Sequence, residues 1–191
     1  MGAPDAEPTD ADLVEAARGG DHAAFGALVR RHERRVYALA YRMLGREEDA
    51  RDAAQDAFVS CYRNLRNFRG DAAFTTWLHR IAVNACYDAL RKRRELLGIE
   101  DAPEPPPAPD HGDAAAAAVD VHRALQLVPP DFRAVLVLHD LQDMAYEQIA
   151  EALDLPLGTV KSRLHRARMA LAEALGREPS DTARPSKLES S

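Results

Sequence analysis

The stretch YEQIAEALDLPLGTVKSRLHRARMALAEAL, Tyr146 to Leu175, decides the fold, because two helical repeats meet in it at a short turn. In the second repeat Leu157, Val160, Leu164, Ala167, Leu171 and Leu175 recur at steps of three and four, which lines them up as one apolar stripe facing a core. Ser162 and Arg166 project opposite that stripe, with Thr159 and His165 beside them and Lys161, Arg163 and Arg168 on the flanks. Between the repeats, Pro156 suits a first helical position and Gly158 leaves room for another helix to approach. The pattern is that of a helix-turn-helix whose second, basic helix fits a DNA major groove. An ordinary helical hairpin with a solvated basic face is the plainer alternative, so evidence from elsewhere in the chain matters.

That evidence lies upstream, where no strand alternation occurs and every apolar pattern is helical. Asp21 is placed to cap a helix carrying Phe25, Leu28, Val29, Val36, Leu39, Ala40, Met43 and Leu44 inward. In the next helix Ala50, Ala53, Ala54, Ala57, Phe58, Cys61 and Leu65 form the inward stripe, while Glu48, Asp49, Asp52 and Asp56 make an acidic outward face with Gln55 at its edge. FRGDAA, Phe68 to Ala73, reads as a turn whose Asp71 is available to cap a long third helix, Phe74 to Arg94. The turn and helix together hold Phe68, Arg69, Phe74, Trp77, Arg80, Asn84 and the cluster Arg91 to Arg94. Aromatic rings stack unpaired bases, amides read base edges and cations track phosphates, so this combination suits a flipped or single-stranded base. Phe74, Trp77, Leu78 and Ile81 also fit simple core packing, whereas Arg80 and Asn84 lie four apart on one exposed face.

Between the two helical blocks, GIEDAPEPPPAPDHGDAAAAA, residues 98–118, is proline-rich, acidic and almost free of large apolar side chains, which is the composition of a semi-extended tether. The expected organisation is therefore a disordered start at 1–9, a helical bundle at 10–97, a flexible linker at 98–118, a helix-turn-helix domain at 119–175 and a disordered tail at 176–191. The net charge of −6 is unusual for a protein that holds DNA alone, since phosphate neutralisation supplies most non-specific affinity. It divides as +1 over residues 1–97, −5 over 98–118 and −2 over 119–191, so local basic surfaces survive. At 46% hydrophobic residues the chain can bury real cores, yet no run approaches a membrane span and the N-terminal segment lacks signal-peptide features; a cytoplasmic protein is expected. Cys61 and Cys86 fall within apolar helical patterns, which points to reduced, buried thiols and to no metal or cofactor.

Three of these segments resemble the extracytoplasmic-function, or group IV, sigma factors of the sigma-70 family. DARDAAQDAF resembles the family's region 2.2, FRGDAAFTTWLHRIAVNACYDALRKRR its regions 2.3 and 2.4, and PPDFRAVLVLHDLQDMAYEQIAEALDLPLGTVKSRLHRAR its region 4. The resemblance implies an all-α protein of two small helical domains that acts with core RNA polymerase, meeting both the β′ clamp coiled coil and the β subunit. It assigns Asp52, Gln55 and Asp56 to the β′ clamp. It assigns Arg69, Phe74, Trp77, Arg80, Asn84 and Arg91 to the minus-ten element, the turn with Arg80 and Asn84 capturing an extruded base. Lys161, Ser162, Arg163, His165, Arg166 and Arg168 fall to the minus-thirty-five element. It further implies promoter DNA and an anti-sigma factor as partners, no membrane insertion, and a linker threading toward the RNA exit path. His165 and His79 stand at positions that vary across the family, so the promoter sequence does not follow.

His139-Asp140 resembles the metal-binding pair of HD phosphohydrolases, but no further His and Asp ligands accompany it, and phosphate loops, nucleophile elbows and zinc spacings are absent from the sequence. An autonomous two-domain helix-turn-helix regulator would share residues 146–175 but would leave the acidic helix and the aromatic turn without a use.

Overall fold

A computed structural model describes residues 7–98 and 121–176, and all its regular structure there is helical. Residues 1–6, 99–120 and 177–191, which include nearly all of the expected linker and tail, lie outside the described residues. The N-terminal unit comprises α1 (Asp10–Arg18), α2 (His22–Leu44), α3 (Glu47–Asn64), a 3-10 turn (Leu65–Asn67) and α4 (Phe74–Leu97). The C-terminal unit comprises α5, helical over residues 121–127, then α6 (Pro130–Asp140), α7 (Tyr146–Leu153) and α8 (Leu157–Ala174).

Local chemistry sets the ends of these helices. Thr9 caps α1 in a reciprocal box, its backbone N–H and hydroxyl donating to Asp12 while its Oγ1 accepts from the Asp12 N–H. Residues 7–9, expected to be disordered, are thus ordered by capping and by Arg31, which donates to the Pro8 carbonyl at 2.9 Å. Asp21 caps α2 as expected, accepting from the N–H groups of Ala23 and Ala24 at 2.8 and 3.1 Å. Asp71 does not cap α4: its N-cap is Ala73, with no side-chain hydrogen bond, because the turn is spent shaping a cleft. Pro156 is the cap of α8 rather than its first helical residue, so the helix starts one residue later than expected, and nothing lies within 4 Å of where a Cβ on Gly158 would stand, so that glycine is not a packing device. Asp154 closes α7 in the left-handed region at φ 52°, a conformation that a short polar side chain tolerates.

The inward stripes of α2, α3 and α4 pack as a bundle, with α1 against α2, and α6, α7 and α8 pack on one another. Leu164, Val160 and Ala167 are buried as the stripe requires, while Leu157 at its upper end is 37% exposed, since the helix there has only the turn beside it. The two units are not separate bodies. α2 contacts α6, α4 contacts α6 and α7, and one continuous apolar cluster runs from Leu13 to Ala167. Cys61 and Cys86 lie inside this core, unpaired, and burial pushes both thiols up to about 12.

Candidate nucleic-acid interface

The residues between the 3-10 turn and α4 bend back over the first turns of α4, aided by Gly70 in the left-handed region at φ 79°. Asn67, Phe68, Arg69, Gly70, Asp71 and Ala72 form one wall of a cleft, and Thr76, Trp77 and Arg80 of α4 form its floor. Phe68, Phe74 and Trp77 make a triangle of rings with centroids 4.9 to 6.0 Å apart, the spacing of favourable edge-on and offset pairs. Phe74 is only 6% exposed and packs on His32 at 5.5 Å. It lies beneath the other two rings, outside the cleft lining, while the sequence placed it among the DNA-contacting residues. Arg69 and Arg80 are exposed at the cleft. An aromatic floor flanked by two guanidinium groups can stack a planar base and hold its phosphate. Asn84 is exposed on the same helix one turn beyond Arg80, outside the cleft lining, and Arg91 further along is paired to Asp88 at 2.6 Å.

The remaining wall of this cleft comes from the other unit: Glu151 and Ala152 of α7. Nothing in the sequence pattern points to that contact.

On α8, Lys161, Ser162, His165, Arg166 and Arg168 are exposed and Arg163 is half-buried. Ser162 donates to the Thr159 carbonyl at 3.0 Å, Lys161 sits 5.9 Å above the Tyr146 ring, and Arg163 lies 3.8 Å from Asp131. Arg168 is held on the protein: its Nη2 donates to Asp140 Oδ1 at 2.7 Å, and His139 Nδ1 lies 2.5 Å from the same oxygen. Burial alone would raise the Asp140 carboxyl, but the hydrogen bonds from Arg168 and His139 bring it below the usual range, and the bond to Asp140 raises Arg168 in turn. The structure thus makes Arg168 a tie between α8 and α6 and gives the His139-Asp140 pair a packing role. His165 and Arg166 carry none of these ties and project from the helix, which gives them the freest reach toward a groove.

On α3, Asp52, Gln55 and Asp56 are exposed. Val59 and Tyr62, 40% and 45% exposed, continue the same face at helical steps. Sequence reasoning passed over both, although two apolar residues standing off the alanine stripe are a legible sign of a covered surface. Asp49, expected on the outward face, turns instead toward Arg93 of α4 at 3.5 Å and Arg46 at 3.9 Å. Among the described residues no group of His, Cys, Asp and Glu could hold a metal, and no helix is long and apolar enough to cross a membrane.

Residues 28–95 match the family Sigma-70 region 2, and residues 118–171 match Sigma-70, region 4. The ECF RNA polymerase sigma factor SigM of Mycobacterium tuberculosis is 43% identical over 172 residues, covering 89% of this chain and 86% of its own length. SigE of Mycolicibacterium smegmatis, likewise an ECF RNA polymerase sigma factor, is 39% identical over 192 residues, covering 94% of this chain and 73% of its own. Among solved structures, CnrH in complex with the cytosolic domain of CnrY superposes with a TM-score of 0.67 at 30% identity, over 87% of this chain and 97% of that one. The sigma factor RpoE of Bartonella quintana, bound to the anti-sigma factor NepR, gives 0.68 at 25% identity, over 80% and 96%. The chain belongs to the extracytoplasmic-function sigma factors of the sigma-70 family.

Proposed function

We propose that this chain is a non-catalytic promoter-specificity subunit of RNA polymerase, acting in the cytoplasm, whose residues 10–97 bind core polymerase and the minus-ten element and whose residues 119–175 read the minus-thirty-five element. The observation that carries the reading is the cleft of Phe68, Trp77, Arg69 and Arg80, a base-stacking floor with cations at its edge. Membership of the family and the names of the relatives support the same reading. His165 and Arg166 of α8 are its major-groove readers, with Lys161 and Ser162 at their side. Asp52, Gln55 and Asp56 meet a basic polymerase surface, with Val59 and Tyr62 adding apolar contact. Arg80 and Asn84 grip an unstacked base and so favour strand opening. An anti-sigma factor is a natural further partner, since the similar structures hold one sigma factor with the cytosolic domain of CnrY and another with an anti-sigma factor.

The test is co-purification with core polymerase followed by run-off transcription from a genomic library. Asp52→Arg with Asp56→Arg is expected to lose core binding by a hundredfold or more, about 3 kcal/mol, with an unchanged melting curve, because like charges then meet across the interface. Undiminished core affinity of the folded double variant would overturn the assignment of α3.

A further inference from the structure

His32 stands on the apolar stripe of α2, four residues after Leu28 and four before Val36, and it is only 5% exposed. An imidazole taken out of water needs a partner for its polar edge. The partner comes from another helix: Nε2 donates to Asp10 Oδ2 of α1 at 2.8 Å, and the hydrogen belongs on Nε2 because a carboxylate oxygen only accepts. Asp10 is held in its turn. Its Oδ1 accepts from Arg31 at 2.7 Å, Arg31 also donates to the Pro8 carbonyl, and the Thr9 cap makes Asp10 the first residue of α1. One edge of the His32 ring is therefore pinned by a carboxylate engaged at both oxygens.

The same ring packs on Phe74, with centroids 5.5 Å apart and planes inclined by 58°. Phe74 in turn lies 6.0 Å from each of Phe68 and Trp77, the two rings of the base cleft. α1 also packs on the 3-10 turn, whose last residue, Asn67, lines that cleft. We propose that His32, oriented by Asp10, is a positioning residue for base capture: through Phe74 it sets the height and tilt of the Phe68–Trp77 platform without touching DNA, a role that rests on the base-capturing cleft proposed above. A leucine would fill the same stripe. The imidazole adds direction, because a flat ring with one hydrogen-bonded edge leaves Phe74 a single seat, and fully satisfied buried polar pairs make a core unique in this way. Stacking on aromatic rings is worth about 5- to 150-fold in binding per base, so a platform out of place should be felt in strand opening.

The experiment uses the full-length chain with two substitutions that divide the roles of the imidazole. His32→Gln keeps an N–H for Asp10 and loses the ring, whereas His32→Phe keeps the ring and loses the N–H. Strand opening is read by permanganate footprinting of the holoenzyme on a promoter recovered by the run-off screen, as duplex and as a pre-melted bubble. His32→Gln is expected to lower opening about tenfold, with core affinity and closed complexes within about twofold of the parent and part of the loss recovered on the bubble. His32→Phe should retain most of the opening. Asp10→Ala, at a side chain 25% exposed, serves in case His32→Gln does not fold, and should lower opening by about threefold because the ring stays but is no longer pinned. Trp77 is the chain's one tryptophan, so its emission reports the platform directly and should shift in His32→Gln and Asp10→Ala but little in His32→Phe.

The opposite order, with His32→Gln opening like the parent and His32→Phe failing, would make the pair a tie for α1 and overturn the proposal. Equal loss of core binding and opening in the folded variants would do the same, as would unmoved opening and Trp77 emission in Asp10→Ala. Trp77→Ala is the control for the cleft itself. If that variant opens promoters like the parent, the base-capture reading falls and the role of His32 with it; if it fails to open them while His32→Gln does not, only the role of His32 is lost.

Discussion

Two arginines one half-turn apart on α8 illustrate how much a side chain's neighbours decide. Arg166 projects from the helix, whereas Arg168 is fastened to Asp140 and lies near His139. Arg166→Ala should cost about 1 to 3 kcal/mol of promoter affinity and relax the preference at one upstream base pair, since arginine reads guanine by two parallel hydrogen bonds. Arg168→Ala should leave base preference alone and cost less than about 1 kcal/mol of stability, as expected for a half-exposed pair. Holoenzyme binding to a panel of upstream sequences, set beside urea melts of both variants, separates the two outcomes; equal loss of base preference would put Arg168 back among the groove readers. Sequence periodicity placed Arg166 opposite the apolar stripe and Arg168 on its flank but could not show that Arg168 is tied down, because Asp140 is distant in the chain and becomes a partner only through the packing of α6 on α8.

At the scale of elements, local signals carried far. Asp21 at a cap position was readable and is found capping, so Asp21→Ala should lower stability by about 1 kcal/mol in a denaturant melt, through two N–H groups left to water. A melt indistinguishable from the parent would mean that α2 is set by packing alone. The all-helical class, the alanine stripe of α3 and the apolar stripe of α8 were legible for the same reason: periodicity along one element needs no knowledge of any other. Asp71 and Gly158 mislead because their residue types announce a cap and a close approach, yet the chain uses one in a cleft wall and leaves the other in open space. Phe74 sits in the candidate cleft's sequence but beneath it in space, a distinction that a helix repeat cannot make where both faces are apolar. Arg133, the cation in the buried run FRAVLVL, donates to the Met43 carbonyl of α2, to the carbonyls of Gln126 and Val128 and to the Gln126 side chain, partners that no side-chain pattern encodes.

At the scale of the whole molecule, the seam between the units should respond to acid. His79 of α4 is 5% exposed, with its Nδ1 3.2 Å from Met144 Sδ of the segment before α7, and desolvation, then His32 and Arg35, lowers its pKa from 6.5 to about 4. The unfolded chain thus takes up the proton first, so stability present above pH 6.5 declines as the pH falls toward 4, by at most about 3 kcal/mol from this group. The parent should lose more stability than His79→Gln across that window in matched denaturant melts, and parallel curves would show that the seam tolerates a protonated imidazole. Timing adds a different consequence of the way α2 is capped. Arg133 is 90 residues downstream of the carbonyl it serves. A ribosome adding about 5 to 20 residues per second delivers that partner some 5 to 18 s after α2 has emerged. For those seconds the Arg42 and Met43 carbonyls, later met by Gln126 and Arg133, are left to water, so the end of α2 is completed only when the C-terminal unit has been made.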